Sequence, residues 1–193
     1  MAASWKYVQN HDPLDWTCGH CGKHTGTRES YLGRFQDGGG YATAFIYICS
    51  FCGEPTYWDR RERKQIPGVL PGEPVEALPG DVERLYEEAR RCLASGAPTA
   101  AVMACRKLLM NLGVSHGAGE NQSFAHYVDW MDENGYIPPN GKAWVDQIRG
   151  AGNAANHEIP HVEVELATRV FKFTEGLLRF AYEFPAQAGE ATT

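Results

Sequence analysis

Two short stretches of sequence, CGHC at residues 18–21 and CSFC at residues 49–52, decide how the first third of this chain folds. Each stretch places two thiolates on one tight turn, at about the separation that a single tetrahedral zinc ion requires. Each is followed at once by a glycine, Gly22 or Gly53, which lets backbone amides turn toward the sulfur atoms. We therefore predict a structural zinc site whose four ligands are Cys18, Cys21, Cys49 and Cys52.

Three other uses of these cysteines are weighed against structural zinc. A catalytic zinc ion keeps one coordination position open for water, and four cysteines leave none. A redox CxxC pair needs a βαβ setting and would leave the second pair unexplained. Disulfides are disfavoured because the N-terminal residues show no apolar secretion signal. His20 and His24 lie beside the first pair and are alternative ligands, although four cysteines already fill the site.

The 27 residues between the two pairs are typical of the hairpin in a zinc ribbon. Gly38–Gly40 indicates a turn, and Tyr41–Ile48 is rich in β-branched and aromatic residues. A module of this size with long loops buries little apolar surface, so a bound metal takes the place of a large core. We predict a zinc-ribbon module over residues 1–66.

Aromatic and basic side chains are concentrated in the second half of this module. Arg60–Lys64 is a compact basic run, interrupted by Glu62. Six aromatic residues of this half either pack the hairpin, which is the interpretation we favour, or stack on the bases of a single-stranded nucleic acid. They are Tyr41, Phe45, Tyr47, Phe51, Tyr57 and Trp58.

Beyond residue 66 the pattern changes class. Prolines and glycines predict a linker over residues 67–78, and helical periodicity then predicts an all-α bundle over 79–186, followed by a flexible tail, 187–193. The predicted helices are Asp81–Ser95, Thr99–Leu112, one capped by Ser123, one from about Lys142 past His157, and one from Val162 to Phe184. The fold class is therefore α+β in two modules, a small β ribbon followed by a helical bundle.

Composition limits the classes of partner. The chain has 193 residues, 43% hydrophobic and 22% charged, with a formal net charge of −6. Residues 1–66 carry eight Lys or Arg and seven Asp or Glu, whereas residues 67–193 carry ten and seventeen. This acidic second part disfavours broad capture of phosphate backbones. No apolar run approaches the roughly 18 residues that a bilayer span requires, so we expect a cytoplasmic protein with no membrane partner.

The fourth predicted helix carries the residues of greatest chemical interest. Arg149, Asn153 and His157 follow one another at intervals of four, which places them on one stripe of a helix. Asn156 lies on the same stripe, and most residues between them are glycine or alanine. On the second helix, Arg106 lies close to the predicted buried face, where an arginine needs a carboxylate or phosphate partner.

These residues carry a resemblance to a known family. Three short motifs resemble those of a family of bacterial domains of unknown function: IRxxGNxAxH at residues 148–157, RKLL at 106–109 and, at the start of the bundle, PxxV at 79–82. That family is assigned to the HEPN superfamily, the "higher eukaryotes and prokaryotes nucleotide-binding" helical bundles. The resemblance covers roughly residues 75–185, and a preceding zinc ribbon is a familiar companion.

The resemblance implies a metal-independent endoribonuclease of phage defence or toxin–antitoxin systems, with a site often built across a homodimer. His157 would act as general acid or base, Arg149 would hold the scissile phosphate, and Asn153 would orient either of them. Arg106 and Asn156 would contact the RNA or nucleotide. Seven residues separate Arg149 from His157, whereas the catalytic signature has four to six.

A non-catalytic reading stays open beside the enzymatic one. The ribbon would recruit a protein or nucleic-acid partner, and the bundle would serve as a dimerisation platform. In that reading Arg149 pairs with Asp146, Glu87 or Glu88, and Asn153 and His157 hydrogen-bond neighbouring helices.

Overall fold

The computed structural model describes residues 4–9, 15–34, 44–138, 141, 144 and 162–189. The chain divides into two compact units, Met1–Leu70 and Pro71–Thr193. We refer to them as the ribbon unit and the helical unit. The division falls inside the segment 67–78 that the sequence analysis treats as a linker.

The ribbon unit is antiparallel throughout its described strands. The strand order is β1-β3-β4-β5-β6, and β2 pairs with β3 beside this path. As the spacing of the cysteines predicts, β3 and β4 are antiparallel neighbours between the two CxxC pairs. The predicted turn at Gly38–Gly40 lies outside the described residues. The strands are β1 Ser4–Gln9, β2 Asp15–Thr17, β3 His24–Arg34, β4 Ala44–Cys49, β5 Pro55–Asp59 and β6 Lys64–Ile66.

One face of β4 supplies the core of the ribbon unit. Phe45, Tyr47 and Cys49 alternate along the strand, so all three project to the same side, and all three are buried. The rings of Phe45 and Tyr47 stack with centroids 5.5 Å apart. Trp16 and Leu32 complete the apolar packing. These two aromatic residues of β4 therefore pack the sheet and do not form an exposed stacking surface.

The helical unit contains the predicted helices wherever its residues are described. Ser123 caps α3 as expected, because its Oγ accepts a hydrogen bond from the His126 N–H at 3.2 Å. The fourth predicted helix lies outside the described residues, apart from Trp144. The bounds are α1 Gly80–Ala94, α2 Pro98–Ser115, α3 Phe124–Glu133, α4 Val164–Leu178, a π-helical turn Arg179–Glu183, and α5 Phe184–Gln187.

The apolar helix faces that the sequence periodicity predicts pack together in one core. Leu108, Leu109 and Leu112 of α2 are each at most 1% exposed and pack with residues of α1, α3 and α4. In the last predicted helix, spacings of three and four residues also place Phe180 on the buried face, in line with Val162, Leu166, Val170, Phe173 and Leu177. That prediction is wrong for Phe180, whose side chain is 49% exposed. The π-helical turn contains one more residue than an α-helical turn. Beyond Leu178, apolar residues spaced by three or four positions therefore no longer lie on the same face of the helix.

Residues 71–78, which we call the strap, pack against the helical unit. Arg90 is buried on α1 and donates from Nε to the Pro71 carbonyl at 2.9 Å and from Nη2 to the Gly72 carbonyl at 2.8 Å. The Tyr86 hydroxyl donates to the Glu73 carbonyl at 2.7 Å. Burial raises the pKa of this hydroxyl, so it stays a donor. A stretch rich in proline and glycine is thus held in place by side chains of α1.

Two carboxylates hold the other side of the strap. Glu175 accepts from the Glu73 N–H at 3.1 Å, and Glu183 accepts from the Glu76 N–H at 2.9 Å. Arg179 lies between the two carboxylates and donates to both, at 3.0 Å and 2.7 Å. The hydrogen bond from Glu76 and the ion pair with Arg179 lower the pKa of the Glu183 carboxyl. The strap is therefore tied by charge-assisted hydrogen bonds.

Within the described part of the chain, none of the helices combines the length and the apolar character that crossing a membrane demands.

Candidate metal centre and helical site residues

The four predicted cysteines converge in the ribbon unit. Their sulfur atoms all lie within 4.8 Å of one another. Two Sγ–Sγ distances, Cys18 to Cys52 and Cys21 to Cys49, are 3.8 Å. Four Zn–S bonds of about 2.3 Å at tetrahedral angles would place the sulfur atoms about 3.8 Å apart. The cluster therefore has the dimensions of a tetrahedral metal site, and these four cysteines can hold a metal ion.

Each CxxC pair forms the same turn. The N–H groups of His20 and Phe51 point at the sulfur atoms of Cys18 and Cys49, each at 3.4 Å. The next residue in each turn, Gly22 or Gly53, has a φ of +70° or +74°, a conformation that glycine adopts without steric cost. The glycines end the turns so that amides face sulfur, which stabilises thiolates and any metal bound to them.

The thiols differ in acidity because their surroundings differ. Burial raises the pKa of Cys49, but the backbone N–H groups of Cys52 and Phe51 outweigh it and bring that pKa down to about 7. Burial and the neighbouring cysteines raise the pKa of Cys52 to about 12. A bound metal ion would remove this difference in protonation, because it binds all four sulfur atoms as thiolates.

A contact from β6 supports the first turn, and the sequence analysis missed it. The Gln65 side chain donates from Nε2 to the Thr17 carbonyl at 2.9 Å and to the Pro67 carbonyl at 3.0 Å. Gly19 packs directly against the carbonyl groups of Pro67 and Gly68, where a Cβ atom would clash. The spacing of the cysteines contains no information about this contact, because it joins segments almost 50 residues apart.

The histidines near the cluster are not ligands. His20 donates from Nε2 to the Pro55 carbonyl at 3.0 Å, and His24 is exposed at the start of β3. Among the described residues, the four cysteines form the one group of metal-binding side chains. Cys105 lies apart in the helical core, where burial raises its pKa to about 12, and Cys92 is half-buried on α1. A tetrahedral metal ion held by four sulfur ligands has no coordination position left for water or a substrate.

Phe51, in the second CxxC turn, is an aromatic residue with an exposed side chain. Its side chain is 60% exposed, and the Lys23 ammonium lies 5.0 Å from the ring centroid. The basic run is at the opposite end of the β4–β5 pair, because Ile48 is the partner of Pro55 and Ala44 is the partner of Asp59. The exposed Phe51 ring is therefore separated from the basic run by the length of this strand pair. Arg60 of the basic run lies instead over the buried ring of Phe45, with its guanidinium 4.4 Å from the ring centroid.

Arg106 is the site residue of the helical unit that the structure describes. Its guanidinium lies 4.3 Å above the ring of Phe124. The Nη1 atom is buried and has no hydrogen-bond partner among the described residues. Burial lowers the pKa of this guanidinium, which nevertheless stays charged. An arginine in this state is under-satisfied, and an anion at this position would supply the missing acceptor.

The other predicted site residues of the helical unit, Arg149, Asn153, Asn156 and His157, lie outside the described residues. Of the carboxylates considered as partners of Arg149, Glu87 already pairs with Arg90 at 2.8 Å. Glu88 is exposed on α1.

The fold and the cysteine cluster define a two-unit protein, in which a β unit with a four-cysteine metal-binding group precedes a helical unit. Residues 87–192 match the family described as a domain of unknown function, DUF4145. The match covers more than half of the chain, and the chain therefore belongs to this family. None of the curated proteins and none of the solved structures matches it.

Proposed function

We propose that the cysteine cluster binds zinc and that this zinc is structural. The sulfur spacing suits tetrahedral coordination, and the set of four cysteines is typical of structural zinc sites. Metal analysis of the purified protein tests the proposal, with one zinc per chain as the expected result. Replacement by Co²⁺ should give the intense sulfur-to-metal absorption of a four-thiolate site.

We propose further that the helical unit is a HEPN-like, metal-independent endoribonuclease acting in bacterial defence or a toxin–antitoxin system. In this proposal His157 accepts the proton of a ribose 2′-hydroxyl, whose oxygen attacks the adjacent phosphorus. The bond from phosphorus to the 5′ oxygen breaks, and that oxygen takes up a proton from the protonated His157 or from water. Arg149 offsets the charge on the phosphoryl oxygens, and Asn153 positions His157. A homodimer is the expected assembly.

The observation that carries this proposal is the state of Arg106. Among the described residues the Nη1 N–H groups of this stacked guanidinium lack an acceptor, so the side chain is suited to donate hydrogen bonds to an anionic ligand. The repeated anion of RNA is phosphate. Arg106 lies in the part of the chain that matches the family. Phosphate binding by Arg106 would place RNA on the helical unit, the part of the chain that also contains the residues proposed for cleavage.

Cleavage of a mixed RNA pool in the presence of EDTA tests the enzymatic proposal. Zinc content is checked before and after the assay, because loss of zinc would unfold the ribbon unit. We expect wild-type protein to leave 2′,3′-cyclic phosphate or 3′-phosphate ends, and His157→Ala to be inactive. His126→Ala is the matched control, because His126 is an exposed histidine on α3.

The role of Arg106 is tested by titrating the protein with a labelled RNA in the same buffer. Arg106→Met should weaken RNA binding at least tenfold, since a charged hydrogen bond to phosphate contributes about 1.5–3 kcal/mol. Lys107→Met removes one positive charge from the exposed neighbouring residue and should change little. Cleavage that survives His157→Ala, or that requires added Mg²⁺, would overturn the catalytic assignment.

The second candidate function is a binding module without turnover, and the exposure of Phe51 favours it. A ring that is 60% exposed beneath a lysine is suited to contact a protein or nucleic-acid partner. In this case Phe51→Ser should abolish partner binding without loss of zinc. Val69→Ser is the control, because Val69 is another exposed apolar residue of the ribbon unit, at 49%. Absence of RNA cleavage together with Phe51-dependent binding would select this function.

A further inference from the structure

An apolar groove of about 460 Å³ lies along α4 of the helical unit. It is lined by five aromatic side chains, and we call it the aromatic groove: Tyr136, Trp144, Phe173, Phe180 and Phe184. Three of the rings are about half exposed, with fractions of 44%, 49% and 51% for Trp144, Phe180 and Phe184. Its volume and apolar lining are in the range of sites that bind small molecules.

A glycine near the C-terminal end of α4, just before the π-helical turn, lines the aromatic groove. Gly176 lies within the helix Val164–Leu178, and a Cβ atom at this position would have no neighbour within 4 Å. Glycine destabilises a helix interior relative to alanine, and internal packing here does not require it. The space above Gly176 is part of the groove, so the glycine keeps the groove deep enough for a flat molecule.

The π-helical turn beside the groove is a second, independent observation. Within the turn Arg179–Glu183, Ala181 and Tyr182 are buried in the core, whereas Phe180 is turned out toward the groove. Single π-helical turns inside α-helices occur frequently at functional sites. The turn therefore exposes an aromatic ring that the α-helical pattern would have buried.

Charge at the rim identifies the kind of occupant. Lys172 is the one charged residue among the described residues that line the groove, and it is exposed at its edge. The rings of Trp144 and Phe173, with centroids 5.8 Å apart, form an apolar wall. We propose that the aromatic groove binds a planar aromatic molecule with one anionic group, such as an aromatic carboxylate, whose anion pairs with the Lys172 ammonium. This proposal is independent of the proposed ribonuclease and zinc sites.

Two dyes with the same ring system provide the test. Anilinonaphthalene sulfonate (ANS) carries an anionic group, and N-phenylnaphthylamine (NPN) lacks it. Fluorescence titration of the full chain should show one ANS molecule per chain, displaced by naphthoate. Lys172→Met should weaken ANS binding about fivefold, the effect of one exposed ion pair, and leave NPN binding unchanged. Lys107→Met, on α2, should alter neither.

A second variant locates the dye. Gly176→Met fills the space above α4 and should abolish binding of both dyes, with its folding checked by near-ultraviolet circular dichroism. Gly176→Ala is the smaller change and should weaken both dyes less. Full ANS binding by Gly176→Met would show that the dye does not bind in the aromatic groove. An ANS affinity of Lys172→Met equal to that of wild type would show that Lys172 does not pair with the anionic group. A dimer that excludes both dyes and dissociates in Phe180→Ser would also overturn the proposal, because the groove would then be a contact between copies.

Discussion

The ribbon unit and the helical unit are stabilised in different ways. Among the described residues, the apolar core of the ribbon unit has six buried members, two of which are the metal-binding residues Cys18 and Cys49. The corresponding core of the helical unit has 23. So small a core offsets little of the conformational entropy lost on folding, and a metal ion bound by the four cysteines would supply the difference.

The comparison also shows how polar contacts are used. In the ribbon unit, backbone N–H groups are directed at sulfur and Gln65 bridges two carbonyls, so polar groups shape the metal site. In the helical unit, Arg90 and Arg179 instead hold the strap against a core that is already large. Chelation should therefore unfold the first unit, whereas loss of apolar packing should unfold the second.

The largest expected effect is loss of a metal ligand. Cys49→Ser should unfold the ribbon unit and release the metal, because the structural zinc that we propose would contribute about 10–16 kcal/mol of apparent binding free energy. Metal analysis and the dispersion of amide signals in the NMR spectrum check this. Cys92→Ser, at a half-buried cysteine of α1, is the control and should keep the metal. A Cys49→Ser protein with a folded ribbon would contradict the comparison.

The second effect concerns the helical core. Leu109 has no exposed surface, so Leu109→Ala should lower the free energy of unfolding of the helical unit by about 2–5 kcal/mol. Metal content should not change. Denaturant unfolding followed by helical circular dichroism measures the loss, and Met103→Ala, at a residue 55% exposed on the same helix, should stay within about 0.5 kcal/mol. Loss of the metal in Leu109→Ala would show that the two units do not differ as described.

A smaller effect is the pH dependence of the strap. The pKa of Glu183 is depressed below its ordinary value of 4.5 in the folded protein. The ionised carboxylate therefore stabilises the fold above pH 4.5, and this contribution is lost as the pH falls through the folded-state pKa. Glu183→Gln should be less stable than wild type at pH 7, and the difference should shrink toward pH 3.

Denaturant unfolding at a series of pH values measures this difference. Glu88→Gln is the control, because Glu88 is exposed on α1 and its replacement should change the free energy of unfolding little. A constant gap between Glu183→Gln and wild type across the range would exclude the ion pair as its cause.

The smallest effect has the opposite sign. Gly176→Ala should raise the free energy of unfolding by about 0.5–1 kcal/mol, because alanine is the better helix former and its Cβ meets no neighbour. Thermal unfolding of the helical unit checks this. A stabilised variant with weaker dye binding would indicate that Gly176 serves the groove at the expense of stability. Destabilisation would instead point to a packing role for the glycine.

The metal site was predictable because its information is local. A CxxC turn followed by glycine contains two ligands, the amides that face them and the residue that ends the turn, all within five positions. The helices were predictable for a similar reason, since spacings of three and four residues report one face. Phe180 was the exception, because nothing in the spacing indicates where a helix accommodates an extra residue.

The position of the strap is a feature that local sequence patterns do not predict. Prolines and glycines in residues 71–78 correctly exclude a helix or strand, but they do not reveal packing against α1 and α4. Arg179 does carry a signal, because its four-residue spacing from Glu175 and Glu183 predicts ion pairs on a helix. The backbone N–H groups of Glu73 and Glu76 complete that network across about 100 positions, so their contribution appears with the tertiary structure alone.

The sequence by itself determined the class of each unit, the four metal-binding cysteines and most of the helical core, since these depend on residue type at short and regular spacing. The tertiary structure decided the bridge made by Gln65, the position of the strap, the stacking of Arg106 on Phe124 and the aromatic groove. Each of these depends on which distant segments meet, and contacts between distant segments follow from the packing of the whole unit.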